Sequence, residues 1–205
     1  MSGLSGQDCY STSKSYGISD TGMKLILIDG GPASGKNTLG ALLVHKLTEP
    51  GAQYILLDLD VYVEKINPSW IWKDKQEKRK DLQKAREDFT QDINRYLQQS
   101  LSVIAIGQRF LTRDEIVDFI ERLKGVRPTC YLYHLSPPFQ IRKQRLEQRG
   151  PSVLIDIEKD QMERDLNPRW YGHVYENIHS PTEDAEQISR LIQNDKGLLD
   201  TVFWG

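Results

Sequence analysis

Residues 24–38 read KLILIDGGPASGKNT, and this segment carries the clearest structural signal in the chain. It opens with a continuous apolar run at 25–28, which is typical of a strand buried on both faces of a sheet. Gly30 and Gly31 end that run, and leucines then recur at helical spacing over residues 38–47. The order of strand, glycine-rich loop and helix predicts the start of a parallel β–α–β unit.

The loop between this strand and helix fits the pattern G-x-x-x-x-G-K up to its lysine. Glycines let the backbone turn tightly enough for successive N–H groups to point at phosphate oxygens, and the following helix adds its positive N-terminus. The three fixed residues alone could arise by chance, but the flanking strand and helix are the context that the motif requires. The residues predicted to bind nucleotide are Gly30, Gly31, Pro32, Ala33, Ser34, Gly35, Lys36, Asn37 and Thr38.

Strand and helix patterns continue to alternate along the chain. Apolar runs predict four further strands, and amphipathic spacing predicts helices between and after them, so we expect an α/β fold with a parallel sheet of about five strands sandwiched by helices. The predicted strands cover residues 54–57, 102–106, 130–135 and 174–178. The predicted helices cover about 73–100, 113–124, 139–148 and 182–194.

Composition places the chain among ordinary globular proteins. With 205 residues, one domain is expected, and a formal net charge of −2 provides no global basic field for nonspecific nucleic-acid binding. No apolar run is long enough to cross a membrane, and two distant cysteines favour a reducing cytoplasm. We expect residues 1–22 to form a flexible leader, 23–205 the domain and about 137–170 a helical lid.

Together, these features resemble the P-loop phosphotransferases, which include zeta toxins, polynucleotide kinases, gluconate kinases and adenylylsulfate kinases. The resemblance spans about residues 24–194 and rests on the order of four motifs. These are the glycine-rich loop, an acidic end to the second strand, Leu111-Thr112-Arg113 after the third strand, and an Arg-rich helix. It implies a three-layer α/β/α sandwich with a lid, and ATP and Mg²⁺ as cofactors.

Asn37 departs from the pattern of that family, in which a serine or threonine hydroxyl commonly holds Mg²⁺ at this position. Asn37 and Asp58 are our predicted metal ligands, since amide and carboxylate oxygens suit this cation. Gly107 lies where relatives often carry an acidic residue, which shifts any acidic contact with the metal toward the end of the second strand. We therefore expect weak or water-mediated Mg²⁺ binding and modest turnover.

Two acidic residues, Asp58 and Asp60, follow the second strand, where parallel sheets place their ligands. By resemblance, Asp60 is the candidate general base for an acceptor hydroxyl, and Asp58 a second substrate-binding residue. The alternative is that both acids cap the next helix or are simply solvated. Arg109, after the third strand, is a further candidate for acceptor binding.

Arginines at 142, 145 and 149 are spaced by three and four residues, which places them along one helix face. Guanidinium groups neutralise the charge that develops during phosphoryl transfer, so Lys36, Arg145 and Arg149 are predicted to be catalytic together with Asp60. A solvated basic helix is the alternative interpretation.

The sequence thus predicts a kinase that moves the γ-phosphate of ATP to a hydroxyl or phosphate. The acceptor could be a small molecule, a nucleotide or a polynucleotide. Two alternatives stay open: a nucleotide-binding regulatory module with little turnover, and a hydrolytic nucleotide switch, for which no water-positioning residue is evident.

Overall fold

The computed structural model describes residues 22–69, 74–123, 125–150, 156–167 and 169–204. Its centre is a five-stranded parallel sheet in the order β2-β3-β1-β4-β5. This confirms the predicted α/β class and the strand count. The strands are β1 (Lys24–Gly30), β2 (Tyr54–Asp58), β3 (Ser102–Ile106), β4 (Thr129–Leu135) and β5 (His173–Tyr175).

Helices cover both faces of the sheet. They are α1 (Lys36–Leu47), α2 (Leu59–Ile66), α3 (Lys75–Gln98), α4 (Arg113–Glu121), α5 (Phe139–Gln148), α6 (Ile157–Asp165) and α7 (Pro181–Gln193). A 3-10 helix, Thr201–Trp204, follows near the end of the chain.

The three layers follow from the alternation of side chains along each strand. Leu25 and Leu27 of β1 pack into a core shared with α2, α3 and α4, whereas Ile26 and Ile28 pack into a second core shared with α1 and α7. All four side chains are fully buried. The continuous apolar run of β1 therefore arises because both faces of this strand are covered.

The topology defines where a ligand can bind. From β1 the chain passes to β2 at one edge, returns to β3 beside β1, and then crosses to β4 on the other side of β1. In open parallel sheets the crevice outside such a reversal point receives ligands at the carboxyl ends of the strands. The glycine-rich loop lies at the carboxyl end of β1, in the middle of the sheet.

Several element boundaries differ from those expected. Helix α1 begins at Lys36 rather than at residue 38, because Gly35 adopts a left-handed conformation (φ 96°) and the helix starts directly after it. The long helix begins at Lys75, where Asp74 caps it, and β5 ends at Tyr175 rather than at residue 178. The expected leader, apart from residue 22, and residues 151–155 and 168 of the expected lid lie outside the described residues.

Helix α2 was not predicted, and its presence corrects the placement of Asp60. Asp58 is the last residue of β2, and its side chain accepts a hydrogen bond from the backbone N–H of Asp60, which lies in the first helical turn. Asp60 is therefore a helix residue rather than a strand-end residue. Through the same hydrogen bond, Asp58 is the N-cap residue of α2.

Candidate active site

The glycine-rich loop at residues 30–38 is held in a tight turn. The N–H of Ser34 donates to the carbonyl of Gly31 at 3.2 Å, and Ala33 adopts a positive φ of 59°. A β-carbon at position 30 would overlap the hydroxyl of Ser34, so the first loop position requires glycine.

Lys36 folds back over this loop, and its ammonium donates to the carbonyls of Gly30 at 2.6 Å and Gly31 at 3.2 Å. Burial lowers the pKa of Lys36, although the charges of Asp29 and Asp60 oppose that effect. The lysine therefore lies at the centre of the loop with acidic groups around it.

A cavity of about 300 Å³ opens in front of the loop. Its lining comes from the carboxyl ends of the strands and from the lid, so it brings together several of the predicted residues. Besides loop residues, the charged side chains that line it are Asp29, Lys36, Asp60, Arg109, Arg149, Asp160 and Arg164.

The acidic side of this cavity is formed by the start of α1 and the start of α2. The side-chain amide nitrogen of Asn37 donates to Asp58 at 2.6 Å, so the two predicted metal ligands are in direct contact. Asp60 lines the cavity, and its pKa is raised by partial desolvation and by the neighbouring charge of Asp58, while Lys36 acts in the opposite direction. A raised pKa makes this carboxylate a stronger base.

Two buried arginines, one from α5 and one from α6, lie on the other side of the cavity. Arg142 of α5 is buried, and it donates to the carbonyl of Pro32 at 3.1 Å, to Gln161 at 2.9 Å and to Asp160 at 2.6 Å. Arg164 of α6 contacts Asp160 at 3.2 Å. The arginine spacing in the sequence gave Arg142 no catalytic role, but here this residue joins the loop to the lid helix.

Asp29, the residue before the loop, is the buried anchor of this side. It accepts from Arg164 in a bidentate pair at 3.1 and 3.3 Å and contacts Nδ1 of His134 at 3.1 Å. Burial alone would raise the pKa of Asp29, but the hydrogen bond from His134 and the charge of Arg164 hold it well below its usual range. His134 also contacts the carbonyl of Tyr171 through Nε2 at 2.7 Å.

The predicted catalytic arginines, Arg145 of α5 and Arg149 directly after that helix, lie on the far side of the loop. Arg145 donates to the carbonyls of Ser34 at 3.3 Å and Asn177 at 2.9 Å, and the amide of Asn177 donates to Ser34 at 2.7 Å. Both residues line a second cavity of about 260 Å³, next to Thr38. Arg149 lines both cavities and lies between them.

Arg109 lines the first cavity together with Asp60, and it links that side to the lid. Its guanidinium contacts Glu163 of α6 at 2.5 Å and Glu115 of α4 at 3.5 Å. About half of the Arg109 side chain is exposed, so these ion pairs are accessible to solvent and exchangeable.

The site also contains residues that sequence patterns did not identify. Asp29 lies 135 positions from its partner Arg164, and Asn177 lies 143 positions from its partner Ser34. No local sequence pattern connects the residues of either pair. A buried aspartate inside an apolar strand was the one available signal, because an unpaired charge is not tolerated there.

This architecture and this loop define the fold of the P-loop kinases. Shikimate kinase from Aquifex aeolicus matches with a TM-score of 0.56 and 18% identity, over 83% of this chain and 97% of that chain. The APS kinase CysC from Mycobacterium tuberculosis, solved with AMPPNP and APS, matches with a TM-score of 0.57 and 14% identity, over 83% of this chain and 98% of that one. At these identities the likeness shows the fold alone.

A narrower similarity comes from the sequence. Residues 23–110 match the family described as chromatin associated protein KTI12, which is less than half of the chain and ends before the lid helices. Among solved structures, the tunicamycin resistance protein of Deinococcus radiodurans also matches this fold, with a TM-score of 0.57 and 16% identity, over 87% of this chain and 99% of that one. No curated protein sequence matches significantly.

Two features are absent from the described residues. None of the helices there is both long and apolar enough to span a membrane. Within the same residues, no group of three or more His, Cys, Asp and Glu side chains is arranged to hold a metal ion.

Proposed function

We propose that the chain is a kinase that transfers the γ-phosphate of ATP to a hydroxyl or phosphate acceptor. The observation that carries this proposal is that Lys36 and Asp60 line one cavity in front of the glycine-rich loop. A phosphate-binding cation and a candidate base thus face the same space, as phosphoryl transfer requires.

In the proposed reaction, residues 30–38 hold the nucleotide phosphates through backbone N–H groups and Lys36. Asp60 accepts the proton of the acceptor hydroxyl while the hydroxyl oxygen forms a bond to the γ-phosphorus. The bond between the γ-phosphorus and the bridging oxygen breaks, and ADP leaves with that oxygen. Lys36, Arg145 and Arg149 neutralise charge on the nucleotide phosphates.

The residues near Lys36 fit a magnesium ion that arrives with the nucleotide. A carboxylate oxygen can only accept a hydrogen bond, so the amide nitrogen of Asn37 must face Asp58, and the amide oxygen is left on the other side. Mg²⁺ commonly binds one or two carboxylates together with substrate phosphates. Asn37 would hold this ion through that amide oxygen and Asp58 would hold it through a water molecule, and the ion would neutralise phosphate charge.

The acceptor side favours a polar substrate but does not define one. Asp60, Gln108 and Arg109 line it, and together they offer hydrogen bonds to a small molecule, a nucleotide or a polynucleotide end.

The expected cytoplasmic location also stays a prediction.

The nucleotide-binding regulatory module remains the second candidate, and Gly107 favours it. This glycine has φ 87°, and a β-carbon here would approach Asp58 and Leu59 at about 3 Å. No acidic side chain can therefore be supplied from this position. A module that binds ATP without turnover would use the same loop.

The direct test is calorimetry with ATP on the wild type and Lys36→Ala, with Lys46→Ala as the matched control at the other end of α1. We expect a marked loss of affinity for Lys36→Ala alone. Equal affinity for all three proteins would show that the loop is not the site. Labelled ATP supplied with nucleosides, sugars, nucleotides and oligonucleotides then identifies the acceptor, and ATP binding without any transfer would favour the regulatory module.

A further inference from the structure

One carboxylate in the cavity comes from the lid rather than from the sheet. Asp160 of α6 lies directly over Gly31 of the glycine-rich loop, and a β-carbon at position 31 would overlap both its carboxylate and the guanidinium of Arg142. The absence of a side chain at Gly31 is what lets the lid helix come this close.

The surroundings of this carboxylate are those of a bound anion. Asp160 is 2.6 Å from Arg142 and 3.2 Å from Arg164, and it lines the same cavity as Lys36. Arginine forks of this kind bind carboxylate and phosphate oxygens in the same geometry. The site is therefore arranged for a negative group, and in this structure Asp160 supplies that group.

We propose that the Asp160 carboxylate stands in for the terminal phosphate of the nucleotide, and that an entering triphosphate displaces it and takes over Arg142 and Arg164. The inference rests on the proposed function, since it assumes that the loop binds a nucleoside triphosphate. It assigns to Arg142 and Arg164 a direct contact with the γ-phosphate.

Both arginines are held in place by partners other than Asp160. Arg142 also donates to the carbonyl of Pro32, and Arg164 is fixed by its bidentate pair with Asp29. Arg164, which lines the cavity, and Arg142, which lies beside Gly31, therefore keep their guanidinium groups in place when Asp160 leaves.

Energetics favour an exchange of anions over simple opening of the lid. The side chains of Arg142 and Arg164 are only 2% and 8% exposed. Buried cations that lose an anionic partner without replacement are costly, whereas a phosphate group restores the lost interactions. Asp160 and a γ-phosphate should accordingly compete for the same cations, and a shorter nucleotide should compete less.

The test is nucleotide binding by Asp160→Asn, which keeps the size of the side chain and removes its charge. Glu158→Gln is the control, because Glu158 is an exposed carboxylate on the same helix. We expect ATP affinity to rise at least about fivefold in Asp160→Asn, ADP affinity to rise less and AMP affinity to stay constant. Unchanged or weaker ATP binding in Asp160→Asn would overturn the proposal.

Hydrogen exchange of the α6 amides gives a second readout that is independent of catalysis. Without nucleotide, α6 should exchange faster in Asp160→Asn than in the wild type, and saturating ATP should make the two equal. A difference that persists at saturating ATP contradicts displacement. Tighter ATP binding without phosphoryl transfer would refute the kinase and leave this inference standing, whereas transfer with unaltered ATP affinity would do the reverse. No ATP binding by either form would overturn both.

Discussion

Replacing Asp29 with asparagine removes the buried negative charge that both Arg164 and His134 contact. The carboxylate is 2% exposed and accepts from both terminal nitrogens of Arg164, while the N–H of Gly30 donates to one of its oxygens at 2.6 Å. Asparagine has the same shape, so the variant tests charge and hydrogen bonding rather than packing.

The expected cost follows from what is left behind. Removing one partner of a buried ion pair typically costs about 3–5 kcal/mol, because the other charge stays buried without compensation. The asparagine amide would still offer one oxygen to Arg164, so we expect the lower end, about 3 kcal/mol. For a chain of this size each kcal/mol lowers Tm by about 2–4 °C, which predicts a decrease of about 6–12 °C.

The pH dependence of this loss has a defined sign. The pKa of Asp29 is lowered in the folded protein, whereas in the unfolded chain an aspartate titrates near 3.9. Its contribution is therefore fully present above about pH 5 and decreases as the pH falls toward the folded-state pKa. The stability difference between wild type and Asp29→Asn should accordingly shrink below about pH 4.

Urea denaturation at pH 7, 5 and 3 measures this difference, with Asp165→Asn as an exposed control that should change stability by less than about 0.5 kcal/mol. Comparing each variant with wild type at the same pH cancels the titration of other carboxylates. An unaltered urea midpoint for Asp29→Asn at pH 7 would refute the assigned network. A loss that stays constant down to pH 3 would refute the role of the charge.

Three further substitutions examine the acidic side of the cavity. Asp60→Asn should lower the single-turnover rate about 10²–10⁴-fold at unchanged ATP affinity, and an unchanged rate would reject Asp60 as the base. Asn37→Ser should raise both the Mg²⁺ affinity and the rate, because a hydroxyl is smaller than an amide; a magnesium titration identical to wild type would place the metal elsewhere. Gly107→Ala should lower stability by about 1–3 kcal/mol, because φ is 87° and Asp58 lies close; an unshifted urea midpoint would contradict this close approach.

The parts of the fold that local periodicity encodes could be predicted from the sequence. The apolar run of β1 and the spacing after it place the loop correctly, and α5 covers residues 139–148 as expected. These elements form because each has a strong local pattern, either continuous burial or a helical stripe. The order of the strands could not be predicted in the same way: the first two strands were expected to form a parallel pair, but β2 pairs with β3, which lies between β2 and β1.

Helix α2 was missed for a local reason. Its eight residues follow β2 without any turn residue, so strand and helix read as one apolar segment. The signal was nevertheless present, since Leu59, Tyr62 and Val63 are spaced for one buried helix face and Asp58 is a favoured N-cap residue.

The lid contacts could not be predicted because they depend on tertiary distance. Asp29 meets Arg164 only after β1 and α6 are brought together, and Arg145 meets Asn177 only at the end of β5. Spacing along α5 placed three arginines on one face, but it could not show that Arg142 faces the lid and Arg145 the second cavity.

The carboxylates around Lys36 differ in how they could respond to a triphosphate. Asp29 is fixed within β1 and fully paired, so it cannot leave when an anion enters. Asp60 is on α2 at the acceptor side, where its charge is needed for a different step. Asp160 is the one of these three that belongs to the lid, and rotation of its side chain would release the arginines while Arg164, on the same helix, stays paired with Asp29. In the proposed exchange the cations therefore stay in place while the anion changes, which would favour a ligand with a terminal phosphate.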